Sequence, residues 1–159
     1  MKILVLGHGR SGKDTFAEML QKRTGLRLIS SSLFCLDLIY PVLQHLFGYE
    51  KKAEAFNDRH NHRLLWKELI SLYCAADKTA LTKKMLEICD IYVGMRSDDE
   101  YQACKYLFDM IIWIDAGDRV PGKDPSMEIK QDPKSMITVF NVHGLAELER
   151  ESYAVARLL

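Results

Sequence analysis

The stretch Gly7-His8-Gly9-Arg10-Ser11-Gly12-Lys13-Asp14-Thr15 fits the pattern G-x-x-x-x-G-K. Its neighbours on either side give the match its weight. Residues 3–6, Ile-Leu-Val-Leu, are a short, wholly apolar run ending in glycine, as expected of a parallel strand buried on both faces. Residues 13–23 carry Phe16, Met19 and Leu20 at helical spacing, and the pattern stops at Gly25. Strand, glycine loop and helix thus follow in the order a phosphate-binding loop needs. Glycines let backbone N–H groups turn inward around phosphate oxygens, the helix N-terminus adds partial positive charge, and Lys13 reaches the β- and γ-phosphates of a triphosphate. ATP with Mg2+ is the expected donor, held by Gly7, Gly9, Arg10, Ser11, Gly12, Lys13, Asp14 and Thr15.

The usual pattern sets Ser or Thr directly after the lysine, whereas here Asp14 takes that slot and Thr15 follows. Thr15 is therefore the candidate magnesium hydroxyl, with Asp14 either a helix-dipole partner or an outer carboxylate. A magnesium-holding acid would normally end a neighbouring buried strand. The strand expected at 91–95 runs into Arg96 and offers none, while Asp115 ends the one expected at 110–114. Either Asp115 serves, or Asp14, Thr15 and waters hold the ion, since magnesium keeps most of its waters.

Farther along, residues 26–30 read as a second strand closed by Ser30, Ser31 and Ser32, one of which caps a helix running through Leu33, Leu36, Ile39 and Tyr40. Pro41 is expected to kink or restart that helix. Residues 50–89 show only helical periodicity and form a helical insertion between strands. Ser97 followed by Glu100 is a capping box opening a helix through Phe108. Residues 117–135, with Gly117, Pro121, Gly122, Pro125 and Pro133, read as a mobile loop. A last strand at 137–140 precedes an amphipathic helix at 144–158. The alternation predicts an α/β fold with a five-stranded parallel sheet flanked by helices, right-handed crossovers and ligands beyond the carboxyl ends of the strands.

With 159 residues, one domain spanning 1–159 is expected. Hydrophobic residues at 48% exclude a disordered chain, and 22 basic against 22 acidic side chains exclude a bulk pull towards nucleic acid or anionic membrane. Residues 1–80 hold 12 basic and 8 acidic side chains, so positive charge for phosphate work comes mainly from the first half, or the asymmetry is chance scatter. Cys35, Cys74, Cys89 and Cys104 are widely spaced and expected to be reduced and mostly buried. The N-terminal apolar run is too short for a signal segment or a membrane span, which makes the cytoplasm the expected location.

Phosphoryl transfer is positioning plus charge neutralisation, so arginines and a carboxylate are sought around the loop. Arg59 and Arg63 sit four apart and grip a phosphate if that segment is one helix, or else belong to a solvated face paired with Asp58. Between them, His60 and Asn61 offer hydrogen bonds. Arg96, just past a buried strand, suits an acceptor phosphate, or else a salt bridge to Asp98 or Asp99. Ser31 is a further substrate-binding candidate at a strand end. Asp37, on the following helix, is a candidate for the carboxylate that accepts or orients an acceptor proton, or an exposed helix position. Glu100 is read as the capping-box partner of Ser97. Arg119 and Lys123 lie where a lid would cover the phosphates, and Asn141 to Gly144 flank the adenine or simply form a turn.

The offset G-K-x-T occurs in nucleoside monophosphate kinases. The string Arg10-Ser11-Gly12-Lys13-Asp14-Thr15, the strand ending near Arg96 with Glu100 behind it, and the Trp113-containing strand together resemble bacteriophage deoxynucleoside monophosphate kinases of the P-loop NTPase superfamily. Including Asp58-Arg59-His60-Asn61-His62-Arg63 and Tyr92-Val93-Gly94-Met95-Arg96, the run of motifs is most similar to short phage kinases that phosphorylate 5-hydroxymethyl-deoxyuridine in DNA. The resemblance implies a nucleotide-kinase-like fold, ATP and Mg2+, and an acceptor in DNA. A free deoxynucleoside monophosphate is the competing acceptor, and a nucleotide-binding switch without catalysis the competing class.

Overall fold

The computed structural model describes residues 1–120 and 124–159; Pro121, Gly122 and the lid candidate Lys123 lie outside the described residues. Its centre is β1 (Ile3–Leu6), whose four residues are fully buried. Because side chains alternate along a strand, Leu4 and Leu6 enter one hydrophobic cluster while Ile3 and Val5 enter the cluster on the opposite face. Two helical layers therefore cover the strand, which explains its unbroken apolar sequence.

The glycine loop leads into α1 (Lys13–Thr24), ended by Gly25 in the left-handed conformation, and then β2 (Leu28–Ser30). Next comes α2 (Ser31–Phe47), which runs as one helix through Pro41 and so does not restart there. Pro41 lies on the exposed side, where water can take the carbonyl of Asp37 that a proline leaves without its helical partner. On the other side Leu36, Ile39 and Leu43 pack with Ala55 and Trp66 and hold the helix in place.

The helical insertion consists of α3 (Lys52–Asp58), α4 (Arg63–Tyr73) and α5 (Ala80–Ile88). The polar run between α3 and α4 is a turn, so Arg59 and Arg63 do not share a helical face. Asp58 breaks the helix by drawing local donors to its carboxylate: Asn61 Nδ2 at 2.6 Å, His62 Nε2 at 3.1 Å and the Tyr49 hydroxyl.

Thereafter β3 (Ile91–Val93) precedes α6 (Asp98–Cys104), which tightens into a 3-10 turn at Lys105–Leu107 instead of continuing as α-helix. β4 (Met110–Asp115), a 3-10 turn at Gly117–Arg119, β5 (Ile137–Phe140) and α7 (Leu145–Ala156) complete the chain. All five strands are parallel, in the order β2-β3-β1-β4-β5. From β1 the chain goes to the edge strand β2, returns to β3 between the two, and then crosses to β4 on the other side of β1. The loop after β1 sits at that reversal, where neighbouring connections diverge and leave a crevice. The four cysteines are free and buried, and no helix among the described residues is long and apolar enough to cross a membrane.

Candidate functional site

The glycine loop is shaped as a cradle. Gly7 and Gly12 have φ of 148° and 93°, and Arg10, at 65°, is the positive-φ residue that is not glycine. Such a conformation costs a side-chain-bearing residue about 1 kcal/mol or more. A Cβ on Gly12 would lie 2.4 Å from Asn141 Nδ2, and one on Gly9 would lie 2.8 Å from Asp124 Oδ2. Side chains at the glycine positions would thus collide with their neighbours, and the backbone there can come close to an anion. Gly12 caps α1 without any side-chain hydrogen bond to the first turn. His8 Nδ1 and Ser11 Oγ are buried there with no partner among the described residues.

Lys13 projects from the first turn into a cavity of about 600 Å3 beside the loop. Only 7% of it is exposed. Burial lowers its pKa, opposed by the Asp14 carboxylate 3.6 Å away. Arg10, Asp14, Ser31, Arg59, Arg63 and Arg96 line the same cavity, so it holds a surplus of positive charge. Arg59 donates to the Phe56 carbonyl at 2.7 Å and lies 3.9 Å over the Phe56 ring. Arg63 Nη2 is 3.0 Å from His60 Nδ1. Since arginine only donates, Nδ1 accepts and the imidazole proton sits on Nε2. Burial, and then the charges of Arg59 and Arg63, lower the His60 pKa and keep the ring neutral at neutral pH.

The centre of the cluster is a residue sequence reasoning missed. Asp124 Oδ2 accepts from Arg96 Nη1 at 2.6 Å and from Arg63 Nη1 at 2.9 Å, while Oδ1 accepts from the Ser126 hydroxyl at 2.6 Å. Its side chain is 5% exposed. Burial alone would raise its pKa, but hydrogen bonds from Ser126 and Arg96 and the Arg96 charge hold the carboxyl below the usual carboxylate range. In sequence Asp124 is one of several acids in a loop rich in proline and glycine. The available signal was its place beyond a strand end, followed at once by Pro125 and Ser126, a turn-forming set.

Other candidates fall elsewhere. Asp37 is exposed on α2, pairs with Lys52 at 2.6 Å and does not line the cavity. Its helix face points outward because Leu36, Ile39 and Leu43 claim the inward one. Thr15 does not line the cavity either, whereas Asp14, directly after the lysine, does. Asp115 also lies off it and accepts from the Gly117 N–H at 2.8 Å, a turn contact. Arg119 stands against the back of the glycine loop, donating to the Asn141 carbonyl at 2.9 Å and the Ser11 carbonyl at 3.4 Å. Asn141 donates its side-chain amide to that same Ser11 carbonyl at 2.8 Å. The expected capping box is half formed. Ser97 Oγ accepts the Glu100 N–H at 3.5 Å, but the Glu100 carboxylate turns inward to Thr82 and Tyr92.

The phosphate loop, the parallel sheet and the strand order are those of P-loop kinase-like folds. A gluconokinase from Sinorhizobium meliloti 1021 is similar in structure at a TM-score of 0.51 and 16% identity, covering 99% of this chain and 92% of that one. No family model and no curated protein matches the sequence. The likeness establishes the fold, and the chemistry rests on the site itself.

Proposed function

We propose that the protein is an ATP-dependent kinase that transfers the γ-phosphoryl group to a free nucleotide-sized anionic acceptor, with a deoxynucleoside monophosphate as the first choice. The observation that carries this reading is the convergence of Lys13, Arg63 and Arg96 on one cavity beside the glycine loop. The cavity's inner wall, with Trp66, Ile70, Leu81 and Tyr92, is apolar. A planar base fits such walls better than a polyhydroxylated sugar acid does, whose hydroxyls need polar partners throughout.

The loop amides and Lys13 hold the triphosphate. Arg63 and Arg96 hold the acceptor phosphate next to it, and Asp124 fixes both guanidinium groups in place. An acceptor oxygen forms the new bond to the γ-phosphorus as the bond to the β–γ bridging oxygen breaks, leaving ADP. Lys13 and the arginines offset the charge that spreads over the transferring group. Asp14, the exposed carboxylate directly after Lys13, would fit a magnesium ion that arrives with the triphosphate, keeps most of its waters and would supply further charge neutralisation.

An acceptor base in DNA, the reading the phage-kinase resemblance favours, needs an open groove and phosphate contacts along a strand. The residues from α2, α4 and α5 that wall the cavity, together with zero net charge, support a free acceptor instead. Radiolabelled ATP offered to deoxynucleoside monophosphates, gluconate and DNA containing 5-hydroxymethyluracil should label the free monophosphates. Label on DNA or gluconate alone overturns the acceptor, and label on nothing overturns the kinase.

A further inference from the structure

The far end of the cavity carries a second recognition element. Glu100 reaches its floor from α6, with 7% of the residue exposed. One oxygen, Oε1, does all the bonding to protein: it accepts from Thr82 Oγ1 at 2.7 Å and from the Tyr92 hydroxyl at 3.3 Å. No cation pairs with this carboxylate among the described residues, and Oε2 accepts no hydrogen bond there. Neither is Oε2 sealed in: it is not among the fully buried orphan atoms, so it opens onto the cavity. A carboxyl kept this far from water costs stability, and burial raises its pKa accordingly. Thr82 and Tyr92 need a single acceptor oxygen, which a neutral amide would supply without that cost. The free oxygen therefore has no use within the fold.

We infer that Glu100 is the specificity-determining residue of the acceptor pocket, its Oε2 accepting an N–H from the edge of the acceptor's heterocyclic base. The walls next to it, Trp66, Ile70, Leu81, Cys35 and Cys74, suit the flat apolar faces of a base and give its ring nitrogens no other partner. The charge arrangement agrees: Lys13, Arg63 and Arg96 stand beside the glycine loop, where the acceptor phosphate belongs, and Glu100 is the buried acid of the lining that no cation pairs with among the described residues. The inference rests on the nucleotide reading above and adds what the pocket selects.

The test compares wild type with Glu100→Gln, which keeps Oε1 and its two bonds but turns the free acceptor into a donor. Affinities for dTMP, dCMP, dGMP, dAMP and gluconate are measured by calorimetry, beside ATP affinity, turnover and thermal midpoint. The tightest-binding nucleotide should lose tenfold or more in affinity with ATP binding unchanged. On wild type, an analogue of it methylated at the donor nitrogen should show the same loss. Equal affinities in variant and wild type overturn the inference, as does gluconate binding in place of nucleotides or no binding of any acceptor. Should the variant not fold, the methylated analogue decides alone: unchanged binding overturns the inference. Nucleotide binding that depends on Glu100 without phosphoryl transfer leaves the inference standing and removes the kinase.

Discussion

Lys13 enters the cavity from the first turn of α1 almost wholly buried, and its charge costs the fold desolvation that Asp14 and Asp124 offset in part and a bound anion would offset further. Lys13→Ala is therefore expected to lower turnover by about a thousandfold, on the scale of losing a main electrostatic contact to the transferring group, while the thermal midpoint stays level or rises. Arg96→Ala should lower kcat/KM for the acceptor by about a hundredfold and leave ATP affinity nearly unchanged, because its guanidinium faces Asp124 and the acceptor end. Steady-state kinetics with each substrate varied separate the two effects. Equal losses in both substrates for Arg96→Ala would mark the ion pair as structural. At this scale Lys13 and Arg96 were legible because the motif and the strand end name them. Asp124 was not, since nothing local tells an acid that bridges two arginines from an acid that faces water.

Among the elements, α2 shows burial overriding local propensity. A proline inside an exposed helix costs roughly 3 kcal/mol relative to alanine, part of it returned by the stiffer unfolded chain. Pro41→Ala should accordingly raise stability by about 1–3 kcal/mol in urea titration, with kinetics unchanged, because Pro41 is exposed and does not line the cavity. A destabilised variant would mean that the proline shapes the packing of Leu43 and Trp66. The five strands of the sheet and the helices α1 and α7 lie close to their expected positions, while the insertion read only as helical divides into α3, α4 and α5. Their hydrophobic periods are local properties, and the insertion divides where the polar run after Asp58 carries no apolar period and forms a turn.

For the molecule as a whole, charge placement sets the response to acid. Asp124, and Asp90 hydrogen-bonded to Arg27 and Lys2, have folded pKa values below those of the unfolded chain. Their stabilisation is complete above the ordinary carboxylate range near pH 4 and is lost as pH falls through the lower folded values. Glu100 has the opposite sign: burial raises its pKa, so the fold loses stability as pH rises from the ordinary glutamate value towards the higher folded one. Asp124→Asn should cost about 1–2 kcal/mol at pH 7, as for a weakened charge-assisted hydrogen bond. The difference from wild type should shrink below pH 4, where the unfolded chain takes up a proton that the folded carboxylate resists; urea midpoints measured from pH 7 to pH 2 would show it. A constant difference across that range would mean that packing, and not charge, holds the loop at Asp124. The amino-acid sequence by itself determined the glycine cradle, the lysine, the parallel sheet and the helical insertion, because backbone freedom and hydrophobic period act over a few residues. Tertiary structure alone decided that an acid from the β4–β5 connection meets arginines from two other segments, and that Glu100 turns inward from its helix instead of capping it. Those meetings depend on which strand ends adjoin at the chain reversal, and strand order is a property of the assembled sheet.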